Sequence, residues 1–199
     1  SAGIYMISKS SLHFAYLRAL FFEHDAEIRQ VSEQSETPKG HLWTGTSWVV
    51  ALETLTIRSM QTEDIAKVLE LEEKTLSAWS EDHLKDELQQ PTGFQFVVSN
   101  KRTEKILAVL FGRIVVDEVE ILKLSVADFA RNRGLGYQLL DFSINYCSSK
   151  GAENCYLELR ASNEVARRLY EKRGFITVRT RKDYYDEPVE DAILMQCEL

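Results

Sequence analysis

The chain has few residues of the kinds that bind metals, form disulfides or cross membranes. Its 199 residues include three cysteines and four histidines at scattered positions. An odd number of cysteines at wide spacing favours reduced thiols over a disulfide framework or a zinc site. No run of about 20 apolar residues occurs, and the N-terminus lacks the basic-then-apolar order of a secretory signal. These absences predict a cytoplasmic protein without a metal ion or a membrane segment.

Positive charge is also in deficit. The sequence has 24 Lys and Arg against 31 Asp and Glu, which gives a formal net charge of −7. Proteins that grip nucleic acid over a wide face need clustered Lys and Arg, so no nucleic-acid partner is expected. Any anionic ligand must therefore be held locally by a few groups.

One glycine-rich turn has the features of such a local anion site. Residues 131–136 (RNRGLG) lie between an apolar run at 119–126 and an amphipathic stretch at 137–150. Glycines allow close backbone approach to an anion, and the free N–H groups of a helix start point at it. A Walker loop needs Lys-Ser/Thr after its last glycine and a Rossmann fingerprint needs a third glycine, so both nucleotide motifs are excluded. A turn of this kind by itself is more often structural.

The turn and the segments after it resemble the GNAT N-acetyltransferase superfamily. Arg-x-x-Gly-x-Gly after a strand resembles its coenzyme A pyrophosphate loop, and residues 157–163 (LELRASN) and 166–175 (ARRLYEKRGF) resemble its second half. Together with residues 183–185 and 190–192, they resemble the bacterial family that acetylates the N-terminal alanine of ribosomal protein S18. Residues 78–81 (AWSE) also fit, although that family usually has Pro at the first of these positions. The resemblance covers about residues 55–199.

The apolar periodicity predicts alternating strands and helices, which is typical of the α/β class. The resemblance implies the GNAT fold, with a mixed, mostly antiparallel central sheet, helices on both faces and splayed central strands. Residues 55–199 are expected to form this domain, and residues 1–54 an N-terminal extension that is a packing element or a lid. Predicted helices cover 62–76, 80–90, 137–150 and 163–173, and predicted strands 54–59, 94–99, 106–116, 119–126, 154–159, 175–179 and 192–197.

The resemblance implies acetyl-CoA as co-substrate. In the family, pantetheine lies beside the strand before the loop and pairs with its backbone like an added strand, while the next strand diverges to admit the thioester. Asn163 would bind the pantetheine or the phosphate arm, or serve only as a helix cap. The expected coenzyme-binding residues are thus Leu124, Ser125, Val126, Arg131, Asn132, Arg133, Gly134, Leu135, Gly136, Tyr137 and Asn163.

Two residues match the family's catalytic groups. Glu158 matches the general base and Tyr170 the general acid, since a tyrosine is protonated at neutral pH and can donate a proton to the departing thiolate. Other interpretations remain open: Glu158 as a surface carboxylate paired to Arg160 or Lys123, and Tyr170 as an aromatic residue packed under the sheet.

A cysteine nucleophile is the less favoured route to acetyl transfer. Cys155 is close to Glu158 in sequence, but three residues along a strand place it on the opposite face. Buried cysteines are usually inert, so direct attack in a ternary complex is expected rather than an acetyl-enzyme.

The acceptor is predicted to bind beside Glu120, Tyr184 and Tyr185, with a carboxylate holding its ammonium group. A free α-amine has a pKa near 8, so about a tenth is neutral at pH 7, whereas for lysine the fraction is well below a thousandth. This favours a protein N-terminus, and the resemblance implies that of S18. The family usually has Asp-Pro where Ala127 and Asp128 stand here. Acetylation of a small amine or a lysine, and a non-catalytic acetyl-CoA sensor, remain alternatives.

Overall fold

A computed structural model describes residues 55–73, 75 and 77–199. The expected N-terminal extension, residues 1–54, lies outside the described residues. Within the described part, seven strands form one sheet in the order β1-β2-β3-β4-β5-β7-β6. The strands are β1 Leu55–Ser59, β2 Gly93–Asn100, β3 Ile106–Val115, β4 Glu118–Val126, β5 Asn154–Arg160, β6 Ile176–Asp186 and β7 Val189–Glu198.

The sheet is mixed, because β4 and β5 pair in parallel while the other five neighbouring pairs are antiparallel. Among the described residues, four α-helices pack on its two faces: α1 Ile65–Glu72, α2 Glu81–Leu88, α3 Leu135–Ser149 and α4 Glu164–Arg173. One core cluster joins α1 and α2 to the sheet, and a larger one joins α3 and α4 to the opposite side. The predicted α/β class and GNAT-type architecture are confirmed.

The central strands splay apart, as expected. β4 and β5 pair from Glu118↔Asn154 to Ile121↔Leu157 and no further. Beyond that point residues 122–126 of β4 and 158–160 of β5 continue without pairing to each other, and we call the opening between them the gap. β4 remains paired to β3 along its other edge.

Side-chain capping hydrogen bonds confirm two of the predicted helix starts. The Ser80 hydroxyl accepts a hydrogen bond from the backbone N–H of His83 at 3.2 Å. The Asn163 side-chain oxygen accepts one from the N–H of Ala166 at 3.1 Å. Both caps satisfy an N–H group that would otherwise lack an intrahelical partner.

The start and end of the first predicted helix were wrong. Thr62 lies inside a short 3₁₀ turn, Thr62–Asp64, and does not cap the helix. The carboxylate of Asp64 accepts the backbone N–H of Gln61 at 2.9 Å and is paired to Arg58. The helix α1 ends at Glu72 rather than at residue 76.

No helix among the described residues is long and apolar enough to cross a membrane.

Candidate active site

The coenzyme strand predicted from sequence runs along one side of the gap. Leu124, Ser125 and Val126 pair with Leu110, Val109 and Ala108 of β3 on one edge, and their other edge faces the gap. A strand whose second edge lacks a neighbouring strand is a template for an extended ligand that supplies matching donors and acceptors. The Ser125 side chain is not free for a ligand, because its hydroxyl donates to Glu72 at 2.6 Å.

The loop after β4 has the backbone geometry of an anion cradle. Gly134 caps α3 with φ +77°, a left-handed conformation that favours glycine. The N–H groups of Leu135, Gly136 and Tyr137 therefore stand at the first turn of α3, where no helical carbonyl can accept them. A Cβ at Gly136 would come within 3.0 Å of Leu169, so glycine there also allows α3 to pack against α4.

The two predicted loop arginines are in different situations. Arg131 is paired to Asp128 at 2.8 Å, and its Nε donates to the carbonyl of Val126 at 3.2 Å. Arg133 is exposed and, within the described residues, has no ion-pair partner. Asn132, between them, has φ +60° and is also exposed. The loop therefore presents three exposed side chains, of which Arg131 is already ion-paired, together with the α3 amides.

Glu158 lies one residue beyond the last β4–β5 pair. The flanking residues Leu157 and Leu159 are buried toward α3 and α4, so Glu158 points to the α1–α2 face, with its side chain 15 % exposed. An Arg181 nitrogen lies 2.5 Å from Glu158 Oε1, an ion pair without hydrogen-bond geometry.

The charge partners considered from sequence for Glu158 were wrong. Arg160 instead pairs with Glu190 at 3.3 Å, and Lys123 pairs with Glu72. Arg181, which lies on β6 well along the chain, provides the cation at Glu158. Glu158 is thus held at the narrow end of the gap by a residue of β6, in the same half of the sheet as β5.

Tyr170 lies on the other side of β5 from Glu158. It is 7 % exposed and packs within the α3–α4 core, its ring 5.7 Å from that of Phe175 in an edge-on contact. Burial, with a smaller effect from Cys155, raises the pKa of Tyr170 above its usual range. The hydroxyl therefore keeps its proton at neutral pH, as a proton donor requires.

Glu120 faces the α1–α2 side of β4 and is partly buried. Its neighbours in the sheet are Arg113 on β3 and Tyr156 on β5. Burial raises the pKa of Glu120, Arg113 opposes the rise, and the carboxylates of Glu158 and Glu87 add to it. Arg113 is already hydrogen-bonded to Glu87 of α2, so Glu120 has no cation of its own among the described residues.

Tyr184 and Tyr185 form an aromatic corner next to these carboxylates. Their rings lie 5.2 Å apart and nearly perpendicular. The guanidinium of Arg160 lies 4.1 Å from the Tyr185 ring, and that of Arg181 lies 5.4 Å from the Tyr184 ring. Burial raises the pKa of Tyr185 to about 12, and the charge of Glu158 contributes to the rise.

Sequence reasoning missed the cations of the site. Arg113 and Arg181 hold carboxylates, and Lys172 lies 4.7 Å over the ring of Tyr137 at the start of α3. Arg113 and Arg181 stand in no motif singled out from the sequence, and the partners of all three residues are distant along the chain. Only the packing of helices and strands brings them together.

The thiol nearest to Glu158 in sequence lies in surroundings that disfavour a reactive thiolate. Cys155 is buried on the α3–α4 side, and burial raises its pKa above the usual range, which disfavours the reactive thiolate. Across the part of the chain that the structure describes, no three His, Cys, Asp or Glu side chains are grouped to hold a metal ion.

Comparison with known proteins gives one consistent result. The acetyltransferase (GNAT) family profile matches residues 65–175. The chain is 31 % identical over 144 residues to the [ribosomal protein bS18]-alanine N-acetyltransferase of Escherichia coli (strain K12), covering 70 % of this chain and 95 % of that protein. It is 30 % identical over 148 residues to the protein of the same name from Haemophilus influenzae, covering 72 % and 98 %.

Solved structures agree. The crystal structure of the ribosomal-protein-S18-alanine N-acetyltransferase from Escherichia coli matches with a TM-score of 0.67 and 30 % identity, over 72 % of this chain and 93 % of that one. Arabidopsis thaliana NAA60 in complex with acetyl-CoA has the same fold, with a TM-score of 0.66 at 18 % identity, over 73 % of this chain and 99 % of that one.

Proposed function

Since the chain belongs to the acetyltransferase (GNAT) family and is an acetyl-CoA-dependent N-acetyltransferase, we propose that its acceptor is the N-terminal α-amine of ribosomal protein S18. The observation that carries the proposal is the position of Glu158, one residue past the last β4–β5 pair. It shares the α1–α2 face with Glu120, and its ion-pair partner Arg181 lies 5.4 Å from the ring of Tyr184. The relatives named above, which match over more than nine-tenths of their length, support alanine as the first acceptor residue.

The coenzyme in this proposal lies along the gap-facing edge of β4. The backbone of Leu124, Ser125 and Val126 pairs with the pantetheine arm, and the α3 amides of residues 135–137 hold the pyrophosphate. Arg133 and Asn132 add exposed donors beside it. Asn163 already caps α4 through its side-chain oxygen, so its amide nitrogen is the group available to the pantetheine arm.

The reaction is a direct transfer. Glu158 takes one proton from the acceptor ammonium, directly or through one water, and the freed amine attacks the thioester carbonyl. The C–N bond forms, the C–S bond breaks, and Tyr170 donates its proton to the departing thiolate. The nitrogen loses its second proton as the amide forms, and that proton, passed through water, restores the Tyr170 hydroxyl. In this proposal the two groups approach the thioester from opposite faces of the sheet, because Glu158 lies on the α1–α2 face and Tyr170 in the α3–α4 core.

The charges at the acceptor side favour an α-ammonium group. Arg113 and Arg181 each have a carboxylate partner, in Glu87 and Glu158, and Glu120 remains as the extra negative charge. A cationic group that binds beside Glu120 offsets the free-energy cost of partly burying the Glu120 carboxylate. An α-amine also loses its proton far more readily than a lysine near neutral pH.

The test is acetyl-CoA turnover with a peptide that copies the N-terminus of S18. The matched control is the same peptide with its α-amine blocked and an internal lysine left free. We expect release of free CoA thiol with the first peptide only. Turnover of the blocked peptide would assign the activity to lysine, and coenzyme binding without turnover of either would indicate another acceptor or a sensor.

A further inference from the structure

A second ion pair stands at the gap, on the rim opposite Glu158. Lys123 lies on β4, and a bulge at Leu122 turns it to the α1–α2 face, since Ile121 pairs with Gly112 while Lys123 pairs with the preceding Phe111. Its ammonium group is paired to the carboxylate of Glu72 at the end of α1. The Lys123 side chain is 7 % exposed and that of Glu72 only 1 %.

Lys123 also binds the loop between α1 and α2 directly. Its ammonium donates to the backbone carbonyl of Ser77 at 2.5 Å and lies 4.9 Å from the ring of Trp79. Glu72 accepts a further hydrogen bond from Ser125, the neighbour of Lys123 on the same face of β4. One lysine therefore ties the gap-lining part of β4 to the end of α1 and to the loop.

Trp79 connects the loop to α2 and to the core through ring contacts. Its ring stacks on His83 at 4.2 Å, nearly parallel, and contacts the fully buried Phe111 at 4.9 Å. His83 lies one turn before Glu87, which holds Arg113 beside Glu120. The loop fixed by Lys123 thus continues into the helix that arranges the acceptor-side charges.

Fold stability alone does not explain a charged pair at this position. Removing two charges from water costs several kcal/mol per ion, and apolar pairs of similar volume are often equally stable. Burial lowers the pKa of Lys123 despite the opposing effect of Glu72, which reflects that cost. What the pair provides, and an apolar pair would not, is a directional bond to the Ser77 carbonyl.

We propose that Lys123 is a positioning residue for the acceptor. By holding Ser77 and Trp79 against β4, it sets the shape of the acceptor side of the gap, where the first residue of the substrate N-terminus must fit. The inference rests on the proposed function, because it assigns the α1–α2 face to the acceptor. It predicts that losing Lys123 impairs binding of the acceptor and spares binding of the coenzyme.

The kinetic test compares Lys123→Met with Arg58→Met. Arg58 forms a charged pair with the buried Asp64, with contacts of 2.6 and 2.8 Å, and is itself 38 % exposed; it lies on β1, three strands from β4. We expect Lys123→Met to raise the KM for the S18 peptide about tenfold or more while the KM for acetyl-CoA stays within about twofold, since small misplacements near a reacting group are costly. Arg58→Met should lower the melting temperature and leave both constants unchanged, and Lys123→Arg should restore much of the peptide affinity.

A second measurement needs no acceptor. Amide hydrogen exchange of the peptide covering residues 75–84 should be faster in Lys123→Met than in the wild type and unchanged in Arg58→Met. Trp79→Leu removes the ring contact and keeps the ion pair. If Lys123→Met does not fold, the kinetic and exchange measurements are therefore made on Trp79→Leu. Failure of the wild type to acetylate the S18 peptide would overturn the proposed function alone, and the exchange result would still decide whether Lys123 holds the loop.

The inference is overturned by any of three results. The first is unchanged amide hydrogen exchange of residues 75–84 in both Lys123→Met and Trp79→Leu. The second is a rise in the KM for acetyl-CoA as large as the rise in the KM for the peptide. The third is an Arg58→Met variant with the same kinetic defect, which would make the effect a general loss of stability.

Discussion

At the scale of single residues, Glu158 is the side chain on which the proposed proton transfer depends. Glu158→Gln keeps the size of the side chain and removes its ability to accept a proton. We expect kcat to fall by about 10²- to 10⁴-fold, the usual contribution of a positioned base, with little change in the KM for acetyl-CoA. Steady-state kinetics measure both constants. Glu118→Gln, at the start of β4 where β4 and β5 are paired, is the control and should keep full activity. Undiminished turnover by Glu158→Gln between about pH 6 and 9 would rule out its role as the base.

Tyr170 gives a prediction about pH. Burial raises its pKa, so the protonated form that can act as an acid persists above the ordinary tyrosine pKa of about 10. The kcat of the wild type should therefore show no loss from tyrosine ionisation between about pH 8 and 10, and Tyr170→Phe should lower kcat at every pH in this range.

The matched control for Tyr170→Phe is Tyr146→Phe. Tyr146 is a partly buried tyrosine of α3 that packs on Phe94 and Phe96, away from the gap. Equal kcat values for the two variants would leave Tyr170 with a packing role only.

At the scale of elements, the glycines at the two ends of α3 offer a matched pair of substitutions that tests the anion cradle. Gly134 precedes the helix with φ +77° and Gly151 follows it with φ +88°, and a Cβ at either position meets nothing closer than 3.8 Å. Alanine at each should therefore cost about 1–2 kcal/mol of backbone strain. We expect only Gly134→Ala to weaken acetyl-CoA binding, by about tenfold, because the anion cradle depends on that turn. Calorimetric titration measures the affinity, and equal loss in both variants would refute a cradle at residues 131–137.

The same elements show what a local pattern can predict. Ser80 and Asn163 were recognisable as helix caps because the capping bond is formed within three residues. The later part of β6 was missed, since this edge strand is exposed at most positions and lacks the apolar alternation of a half-buried strand. The end of α1 at Glu72 was also missed, because the buried pair with Lys123 that holds it depends on a residue of β4.

At the scale of the whole molecule, the sheet is two halves joined by a short parallel seam. Only four residue pairs connect β4 to β5, whereas β5 and β7 share seven. If acetyl-CoA adds to β4 as proposed, its binding should slow amide exchange in residues 122–126 and 158–160 while β1 is little affected. Exchange with and without saturating acetyl-CoA, followed by mass spectrometry, measures this. No added protection in the gap would contradict the placement of the pantetheine on β4.

The sequence indicated those residues of the candidate site that stand in motifs. The coenzyme loop, Glu158 and Tyr170 could be named from sequence because they stand in patterns of fixed spacing. The partners of the charged residues could not, because they depend on strand order and register. Arg181 reaches Glu158 only because β7 brings β6 to that side of the sheet, and Lys123 faces Glu72 only because of the bulge at Leu122.

The position of the gap inside the sheet limits what can occupy it. An outer edge can be extended by a whole strand of another chain, side chains included. The gap narrows instead to ordinary strand spacing at Ile121 and Leu157, where pairing begins. Its narrow end therefore admits a thin, unbranched chain and rejects a polypeptide, which carries a side chain at nearly every residue. If acetyl-CoA binds as proposed, the gap selects its occupant by molecular cross-section, and the bulkier acceptor reaches the thioester from the α1–α2 face rather than along the gap.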